Sequence, residues 1–206
     1  MKKPSIAVLI PCYNEGITIE KVIRDFRKVL PEAAIYVFDN NSTDDTALIA
    51  DKNGAIVQKE DRQGKGFVVQ SMFRRVEADF YIMVDGDDTY PASYVKELLK
   101  PVMSREYDMS VGVRLAKNKA KSFPRLHIFG NHLVKLLINC LFGIKLRDIF
   151  SGYRCFSKRF VKSCPILSRG FEVETELTLQ AVNKRFNIFE PKNTLWREAA
   201  RELFKA

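Results

Sequence analysis

The first 90 residues alternate between short apolar segments and amphipathic ones, and this alternation limits the chain to a small set of folds. Residues 5–10, 34–38, 55–58 and 80–84 are short apolar runs of the kind that form buried strands. The segments between them carry apolar residues at helical spacing, most clearly over residues 18–30, where Thr18 is expected to cap the helix. Four strands that alternate with three helices predict a doubly wound parallel sheet with right-handed crossovers.

Polar or charged residues follow each of the four predicted strands. In this topology the carboxyl ends of the strands lie along one edge of the sheet, and open α/β sheets bind ligands there. We therefore expect one shared ligand site at that edge. The residues concerned are Asn14, Glu15, Asp39, Glu60, Asp61, Arg62 and Asp85.

The fourth strand is followed by an acidic turn, Asp85-Gly86-Asp87-Asp88. Three carboxylates so close together repel one another unless a cation holds them, and their hard oxygen atoms suit Mg²⁺ or Mn²⁺. Gly86 allows the backbone to bend and to approach a ligand closely. An acidic turn without a ligand is the alternative, and this segment alone does not decide between the two.

The remainder of the chain shows weaker patterns. We interpret residues 1–190 as a single domain and residues 191–206 as a C-terminal amphipathic tail that is either truncated or foreign to the domain. The predicted elements are a helix over 94–103 interrupted by Pro101, a strand over 109–113, a cationic loop over 117–121, an apolar helical stretch over 126–142, a strand over 153–156, a helix over 172–185 and a strand over 187–190.

Composition and residue spacing argue against a zinc-binding protein, a membrane-spanning protein and a secreted protein. A chain of 206 residues with 46% hydrophobic and 29% charged residues is long enough for one well-buried globular domain. The four cysteines lie far apart and the two histidines cannot complete a zinc site with them, so we expect reduced thiols and a cytosolic protein. No apolar run is long enough to span a bilayer, and the N-terminus leads directly into a strand, which predicts no signal peptide.

The net charge of +9 is concentrated in one part of the chain. Residues 114–162 hold 12 lysines and arginines but one acid, Asp148. A patch of this density predicts an anionic partner, which is a phosphate group, an acidic membrane surface or nucleic acid. The segment lacks the interleaved exposed aromatic residues of single-strand binders, so we do not expect nucleic acid.

Six short motifs occur along the chain in a fixed order. They are Pro11-Cys12-Tyr13-Asn14-Glu15, Asp39-x-x-Ser42-x-Asp44-x-Thr46, Arg62-x-Gly64, Asp85-Gly86-Asp87, Asp148-Ile-Phe-Ser151-Gly152-Tyr153-Arg154 and Gly170-Phe171-Glu172-x-Glu174-x-Glu176. In this order they resemble the family-2 inverting glycosyltransferases of the GT-A fold. The last two are similar to the branch that holds the dolichol-phosphate mannose synthases and the bacterial polyprenyl-phosphate sugar transferases. The resemblance covers residues 5–190.

The resemblance implies a fold, a reaction and a cofactor. The fold is α/β, a Rossmann-like GT-A domain with a mainly parallel mixed sheet and helices on both faces. The reaction is the metal-dependent, inverting transfer of a hexose from a UDP- or GDP-sugar to a polyprenyl phosphate, in a single in-line displacement. The enzyme is cytoplasmic and lies peripherally on the inner face of the membrane. The cofactor is Mg²⁺ or Mn²⁺, which stabilises the nucleoside diphosphate leaving group.

The resemblance also assigns roles to residues of the donor site. Asp87 is the implied metal ligand and a catalytic residue, and Asp85 reaches either the ribose or the metal. Asp39 accepts a hydrogen bond from the nucleobase. The remaining implied donor-site residues are Pro11, Tyr13 and Glu15 at the base and ribose, Arg62 and Lys65 at the phosphates, and Gly86.

Structural roles stay open for several of these residues. Arg62 and Lys65 are equally explained as solvated loop charges. Asp44 or Asp45 is expected to be a helix N-cap. Among the three glutamates of the motif over 170–176, at least one is expected to be a helix-start charge that the helix dipole favours.

The predicted acceptor site lies in the basic segment. Arg114 and Arg125, with the cationic loop over 117–121 between them, would bind an acceptor phosphate. The apolar stretch over 126–144 would lie on the membrane face, with its lysines at the lipid headgroups. A partly buried core helix with a basic rim is the alternative for that stretch.

A hydroxyl acceptor needs a general base to remove its proton, and Asp148 and Glu174 are then the candidates. A lipid phosphate is already a nucleophilic anion and needs no base. Asp148 is equally explained as a residue that holds the Ser151 loop. Transfer to a saccharide hydroxyl in surface-polysaccharide synthesis is the nearest alternative function, and a non-catalytic nucleotide or nucleic-acid binding module is the alternative from another class. The sequence leaves a homo-oligomer open.

Two features depart from the resemblance. Thr89 stands where relatives in the lipid-phosphate branch often carry a glutamine, which implies a different metal shell. Residues 191–198 stand where relatives carry a Tyr/Arg-rich loop that closes over the donor, which implies a different closure of the site.

Overall fold

A computed structural model describes residues 3–112 and 148–191 of the chain. Several predicted features lie outside these residues. They are Arg114, Arg125, the cationic loop over 117–121, the apolar stretch over 126–144 and the tail beyond residue 191.

The described residues form one mixed sheet of seven strands. The strands are β1 (Ile6–Cys12), β2 (Ala34–Asp39), β3 (Ile56–Lys59), β4 (Phe80–Met83), β5 (Met109–Val111), β6 (Arg154–Ser157) and β7 (Ile188–Phe189). Their spatial order is β3-β2-β1-β4-β6-β5-β7. Strand β6 is antiparallel to both of its neighbours, and every other pair is parallel. The prediction of a mainly parallel mixed sheet is confirmed.

Helices cover both faces of this sheet. They are α1 (Ile19–Val29), α2 (Thr46–Lys52), α3 (Lys65–Arg75), α4 (Val95–Met103), α5 (Lys158–Ser163) and α6 (Val173–Asn183). Helices α1, α2 and α4 pack on one face, and α3, α5 and α6 pack on the other. This arrangement confirms the predicted α/β fold class.

Strand β1 shows why the strands read as continuous apolar runs. Val8 and Ile10 face the core beneath α1, whereas Ala7 and Leu9 face the core beneath α3. All four side chains are at most 1% exposed. Because both faces are covered, neither set of alternating positions can be polar.

The register of the sheet brings the polar strand ends together. Cys12, the last residue of β1, pairs with Asp39 at the end of β2, and Asp39 pairs in turn with Lys59 at the end of β3. On the other side of β1, Leu9 pairs with Met83 at the end of β4. The loops that follow these strands therefore start side by side, as predicted.

Two local predictions were wrong. Thr18 occupies the N-cap position of α1, but its side chain makes no capping hydrogen bond. Its hydroxyl instead donates to the carbonyl of Gly86 over 2.7 Å, because the loop after β4 lies close to the start of the helix. Pro101 does not interrupt α4, which continues to Met103. The missing N–H falls near the end of the helix, where it removes one hydrogen bond.

The sequence also predicts reduced thiols and no apolar run long enough to span a bilayer. Cys12, Cys155 and Cys164 are buried free thiols. Within residues 3–112 and 148–191, no helix is both long enough and apolar enough to cross a bilayer.

Candidate active site

A cavity of about 410 Å³ opens at the carboxyl edge of the sheet. It lies where the loops after β1, β2 and β4 meet the start of α3, which is where the strand order predicts a ligand site. Seven of the predicted site residues line it, namely Pro11, Tyr13, Glu15, Lys65, Asp85, Gly86 and Asp87. The predicted residues Asp39, Arg62, Asp148 and Glu174 are described but lie outside this lining.

The second motif holds the first one in place. The three consecutive N–H groups of residues 14–16 donate, in order, to Ser42 Oγ at 2.9 Å, to Thr46 Oγ1 at 2.8 Å and to Asp44 Oδ2 at 2.9 Å. The hydrogen bond from the Thr46 hydroxyl lowers the pKa of Asp44, so this carboxylate stays ionised. Ser42, Asp44 and Thr46 thus fix the backbone that carries Tyr13 into the cavity.

Asp39, the last residue of β2, is outside the cavity lining, but Asn40 directly after it belongs to the lining. Its side chain is 7% exposed, and Oδ2 accepts a long hydrogen bond from the N–H of Ser42 at 3.4 Å. Among the described residues, Oδ1 has no hydrogen-bond partner. A buried carboxylate oxygen without a donor is costly, so a ligand N–H would stabilise it.

Arg62 is committed to an ion pair beside the cavity. Its guanidinium donates to both oxygens of the buried Glu60 carboxylate, at 2.8 and 3.1 Å, and also to Gln70 at 2.9 Å. These hydrogen bonds from Arg62 lower the pKa of Glu60 to about 2. Arg62 is therefore not a freely solvated charge, and its contact with a donor phosphate stays a prediction.

Lys65 lies between two carboxylates that are distant in the sequence. Its ammonium is 2.5 Å from Asp85 Oδ1 and 2.6 Å from Glu174 Oε1. The side chains of Lys65, Asp85 and Glu174 are 12%, 24% and 5% exposed. Burial lowers the pKa of Lys65, but the two carboxylates outweigh burial and raise it, so the ammonium keeps its charge. The alternative in which Lys65 is a solvated loop charge is wrong.

The fifth motif lies directly behind Asp85. A Cβ atom on Gly152 would come within 2.2 Å of Asp85 Oδ2, so any larger residue there would displace the carboxylate. The hydroxyl of Tyr90 accepts hydrogen bonds from the N–H of Gly152 at 3.1 Å and from the hydroxyl of Ser151 at 3.3 Å. The Asp85 carboxylate is therefore held between Lys65 on one side and this loop on the other.

Arg154 organises the same loop from within the core. Its guanidinium is fully buried and donates to the carbonyls of Ser151 at 2.9 Å and Ile149 at 2.7 Å. Burial lowers the pKa of Arg154 to about 10. Asp148 lies at the start of the loop, where its Oδ1 accepts from the N–H of Phe150 at 3.2 Å. That contact agrees with the alternative in which Asp148 holds the loop.

The acidic turn after β4 is less crowded than its sequence suggests. Asp85 is paired with Lys65, and Asp88 is paired with Lys21 of α1 at 2.8 Å. Asp87 is exposed and accepts from the N–H of Thr89 at 3.0 Å.

Asp87 and Glu15 both line the cavity, and their carboxylates could hold a divalent cation together. Burial raises the pKa of Glu15, and the nearby charge of Asp87 raises it further. No group of three or more His, Cys, Asp or Glu side chains in the described ranges could hold a metal alone. Two carboxylates nevertheless fit Mg²⁺ or Mn²⁺, which complete their shells with water and substrate phosphates.

Two residues important for the site were not predicted from the sequence. Asn40 lines the cavity, and its side chain joins the end of β2 to the loop after β3 through Glu60 and Gly64. Tyr90 anchors the Gly152 loop. Asn40 directly follows Asp39 in a polar loop, which was a usable signal, whereas the partner of Tyr90 is 62 residues away.

Comparison with known proteins identifies the family of this chain. The family model described as "Glycosyl transferase family 2" matches residues 7–164. The chain is 50% identical to protein RfbJ of Shigella flexneri over 123 residues, which cover 60% of this chain and 95% of RfbJ. It is 33% identical to glycosyltransferase AglJ of Haloferax volcanii over 181 residues, covering 87% of this chain and 59% of AglJ. It thus spans less than two thirds of the length of AglJ.

A relative with a more specific name is the dolichyl-phosphate hexose transferase of Haloferax volcanii. It is 29% identical over 185 residues, which cover 90% of this chain and 80% of the relative. This match agrees with the branch that the last two motifs indicate.

A solved structure supports the fold. Glucosyl-3-phosphoglycerate synthase from Mycobacterium tuberculosis, in complex with Mn²⁺, UDP-glucose and phosphoglyceric acid, superposes with a TM-score of 0.73. The match covers 88% of this chain and 66% of the other, at 23% identity. The GT-A fold and the glycosyltransferase resemblance are both confirmed. The chain belongs to glycosyl transferase family 2.

Proposed function

We propose that this chain transfers a hexose from a UDP- or GDP-sugar to a polyprenyl phosphate at the cytoplasmic face of a membrane. The observation that carries the proposal is the cavity at the carboxyl edge of the sheet. Seven residues that the family resemblance implies for the donor line this one cavity, although they come from three separate segments of the chain.

The donor would occupy the cavity in a defined direction. Pro11 and Tyr13 line the part reached from β1, and the unpaired oxygen of Asp39 lies beside it, which suits a nucleobase with an N–H donor. Lys65 supplies a fixed ammonium for a phosphate.

Asp87 and Glu15 would hold the divalent cation. A bound Mg²⁺ or Mn²⁺ would supply positive charge to the departing diphosphate. Asp85, which is neutralised by Lys65, is better suited to orienting Lys65 and the ribose than to metal binding.

The acceptor is proposed from chemistry and from one relative. Glu174 faces the ammonium of Lys65 at 2.6 Å, so its carboxylate is poorly placed to remove a proton from a hydroxyl. A polyprenyl phosphate needs no such base. A relative that carries the name dolichyl-phosphate hexose transferase supports a lipid phosphate acceptor. The eight bases over residues 114–147, including Arg114 and Arg125, would attract that phosphate and the anionic membrane surface.

Calorimetric titration with UDP and with GDP, each with and without Mn²⁺, tests the donor site. We expect one nucleotide to bind in a Mn²⁺-dependent manner, and Asp87→Ala to abolish that dependence because it removes a proposed ligand. Asp88→Ala is the matched control, since this neighbouring carboxylate is paired with Lys21 and lies outside the cavity lining. A folded protein that binds neither nucleotide, or that instead binds nucleic acid without metal, would refute the proposal.

A further inference from the structure

Phe171 is an exposed aromatic residue at the wall of the cavity that the proposed function leaves without a role. Its side chain is 82% exposed, yet the residue belongs to the cavity lining. Its ring centroid lies 6.0 Å from the ammonium of Lys65. A large apolar ring left open to water beside a charged group is a feature of ligand pockets, where aromatic side chains commonly form a wall.

The segment that carries Phe171 is held firmly by helix α6. Glu176 accepts hydrogen bonds from the N–H groups of Leu167 and Ser168, both at 2.8 Å. Glu172 accepts from the N–H groups of the next two residues, both at 3.0 Å. Four consecutive backbone donors over residues 167–170 are thus satisfied by two carboxylates.

The start of α3 holds the same segment from the other side. The N–H of Gly66 donates to the carbonyl of Arg169 at 3.1 Å. A Cβ atom on Gly66 would come within 2.1 Å of the Ser168 carbonyl oxygen, and one on Gly64 within 2.2 Å of the Arg169 carbonyl oxygen. Backbone therefore packs on backbone, and the main chain that presents Phe171 beside Lys65 is fixed by contacts on both sides.

The position of Phe171 beside Lys65 is close to the sugar end of the proposed donor. The proposed nucleobase residues, Pro11 and Tyr13, belong to the end of β1, whereas Phe171 lies beside Lys65, where the proposed function places the phosphates. The group attached to the outer phosphate is the sugar. A hexose presents an apolar face of C–H groups, and removing that face and an exposed ring from water together is favourable.

We propose that Phe171 is a specificity-determining residue that stacks on the apolar face of the transferred sugar. This inference depends on the proposed function, since it assigns the sugar subsite of the same cavity. It predicts that the ring contributes to binding of a nucleotide sugar and not to binding of the nucleotide alone.

Calorimetry with UDP, UDP-glucose, GDP and GDP-mannose, all with Mn²⁺, tests the inference on the wild type and three variants. Phe171→Ala should weaken the nucleotide sugar that the wild type binds by about 3- to 10-fold and leave the free nucleotide within about 2-fold. Phe171→Tyr, which keeps the ring, should restore the affinity. Leu167→Ala is the matched control, because Leu167 is 80% exposed on the same segment but lies outside the cavity lining.

The possible outcomes distinguish a failure of the Phe171 inference from a failure of the proposed function. An equal loss of affinity for the nucleotide and the nucleotide sugar in Phe171→Ala would place the ring on the nucleotide and overturn the inference. Unchanged affinity of Phe171→Ala for both the nucleotide and the nucleotide sugar would also overturn the inference. Failure of the wild type to bind any of the four compounds would refute the proposed function itself.

Discussion

Replacement of Lys65 by methionine tests the charge cluster at the base of the cavity. The substitution keeps the length of the side chain but leaves Asp85 and Glu174 facing each other without a cation. Glu174 is 5% exposed and Asp85 is 24% exposed, so water can screen the two charges only weakly. Removal of one partner from a buried ion pair costs roughly 3–5 kcal/mol, and we expect a loss of free energy of unfolding in that range.

Urea unfolding followed by circular dichroism measures this loss. The midpoint should fall while the m-value stays unchanged, because the surface exposed on unfolding is the same. Lys21→Met is the control, since Lys21 pairs with Asp25 and Asp88 on the surface with its side chain 52% exposed, and it should cost less than about 1 kcal/mol.

A second variant makes the test stricter. Lys65→Met combined with Glu174→Gln should regain at least about 1 kcal/mol relative to Lys65→Met, because one of the two unpaired charges is gone. If Lys65→Met loses no more stability than Lys21→Met, or if the second substitution lowers stability further, the reasoning about this cluster is wrong.

Two further perturbations follow from the geometry. Arg62 holds the pKa of Glu60 near 2, below its ordinary value of 4.5, so the ionised carboxylate stabilises the fold above about pH 4.5. This contribution, on the order of 3 kcal/mol, should be lost as the pH falls to about 2, and Glu60→Gln should flatten that part of the curve of unfolding free energy against pH. Gly152→Ala would push a methyl group against the Asp85 carboxylate, and nucleotide affinity measured by calorimetry should fall about tenfold, for a displacement worth about 1.4 kcal/mol. Unchanged acid unfolding in Glu60→Gln, or unchanged affinity in Gly152→Ala, would contradict these two expectations.

Much of the fold was predictable because it depends on local periodicity. The alternation over the first 90 residues specifies parallel strands, and parallel strands necessarily end at one edge. The lining of the cavity by Glu15 and Asp85 follows from that topology, whereas Tyr13 and Asp87 were expected there from the family resemblance.

The pairing of charges was not predictable, because it depends on contacts between distant segments. Lys65 meets Glu174, which is more than 100 residues away, and Asp88 meets Lys21 on α1. Three carboxylates in sequence suggested a crowded metal site, whereas two of them have lysine partners. Likewise, the pattern of the second motif gave no sign that Ser42 and its neighbours bind backbone N–H groups of another loop.

The central claim is transfer of a sugar from a nucleotide to a lipid phosphate, and a single assay tests it. The protein is incubated with radiolabelled UDP-glucose or GDP-mannose, Mn²⁺ and vesicles that contain a polyprenyl phosphate, and the label is followed into the lipid fraction. We predict labelled lipid from one of the two donors, and none with Asp87→Ala. A wild-type protein that binds the donor but leaves all label in the aqueous fraction, or passes it to an added oligosaccharide instead, would contradict the proposed acceptor.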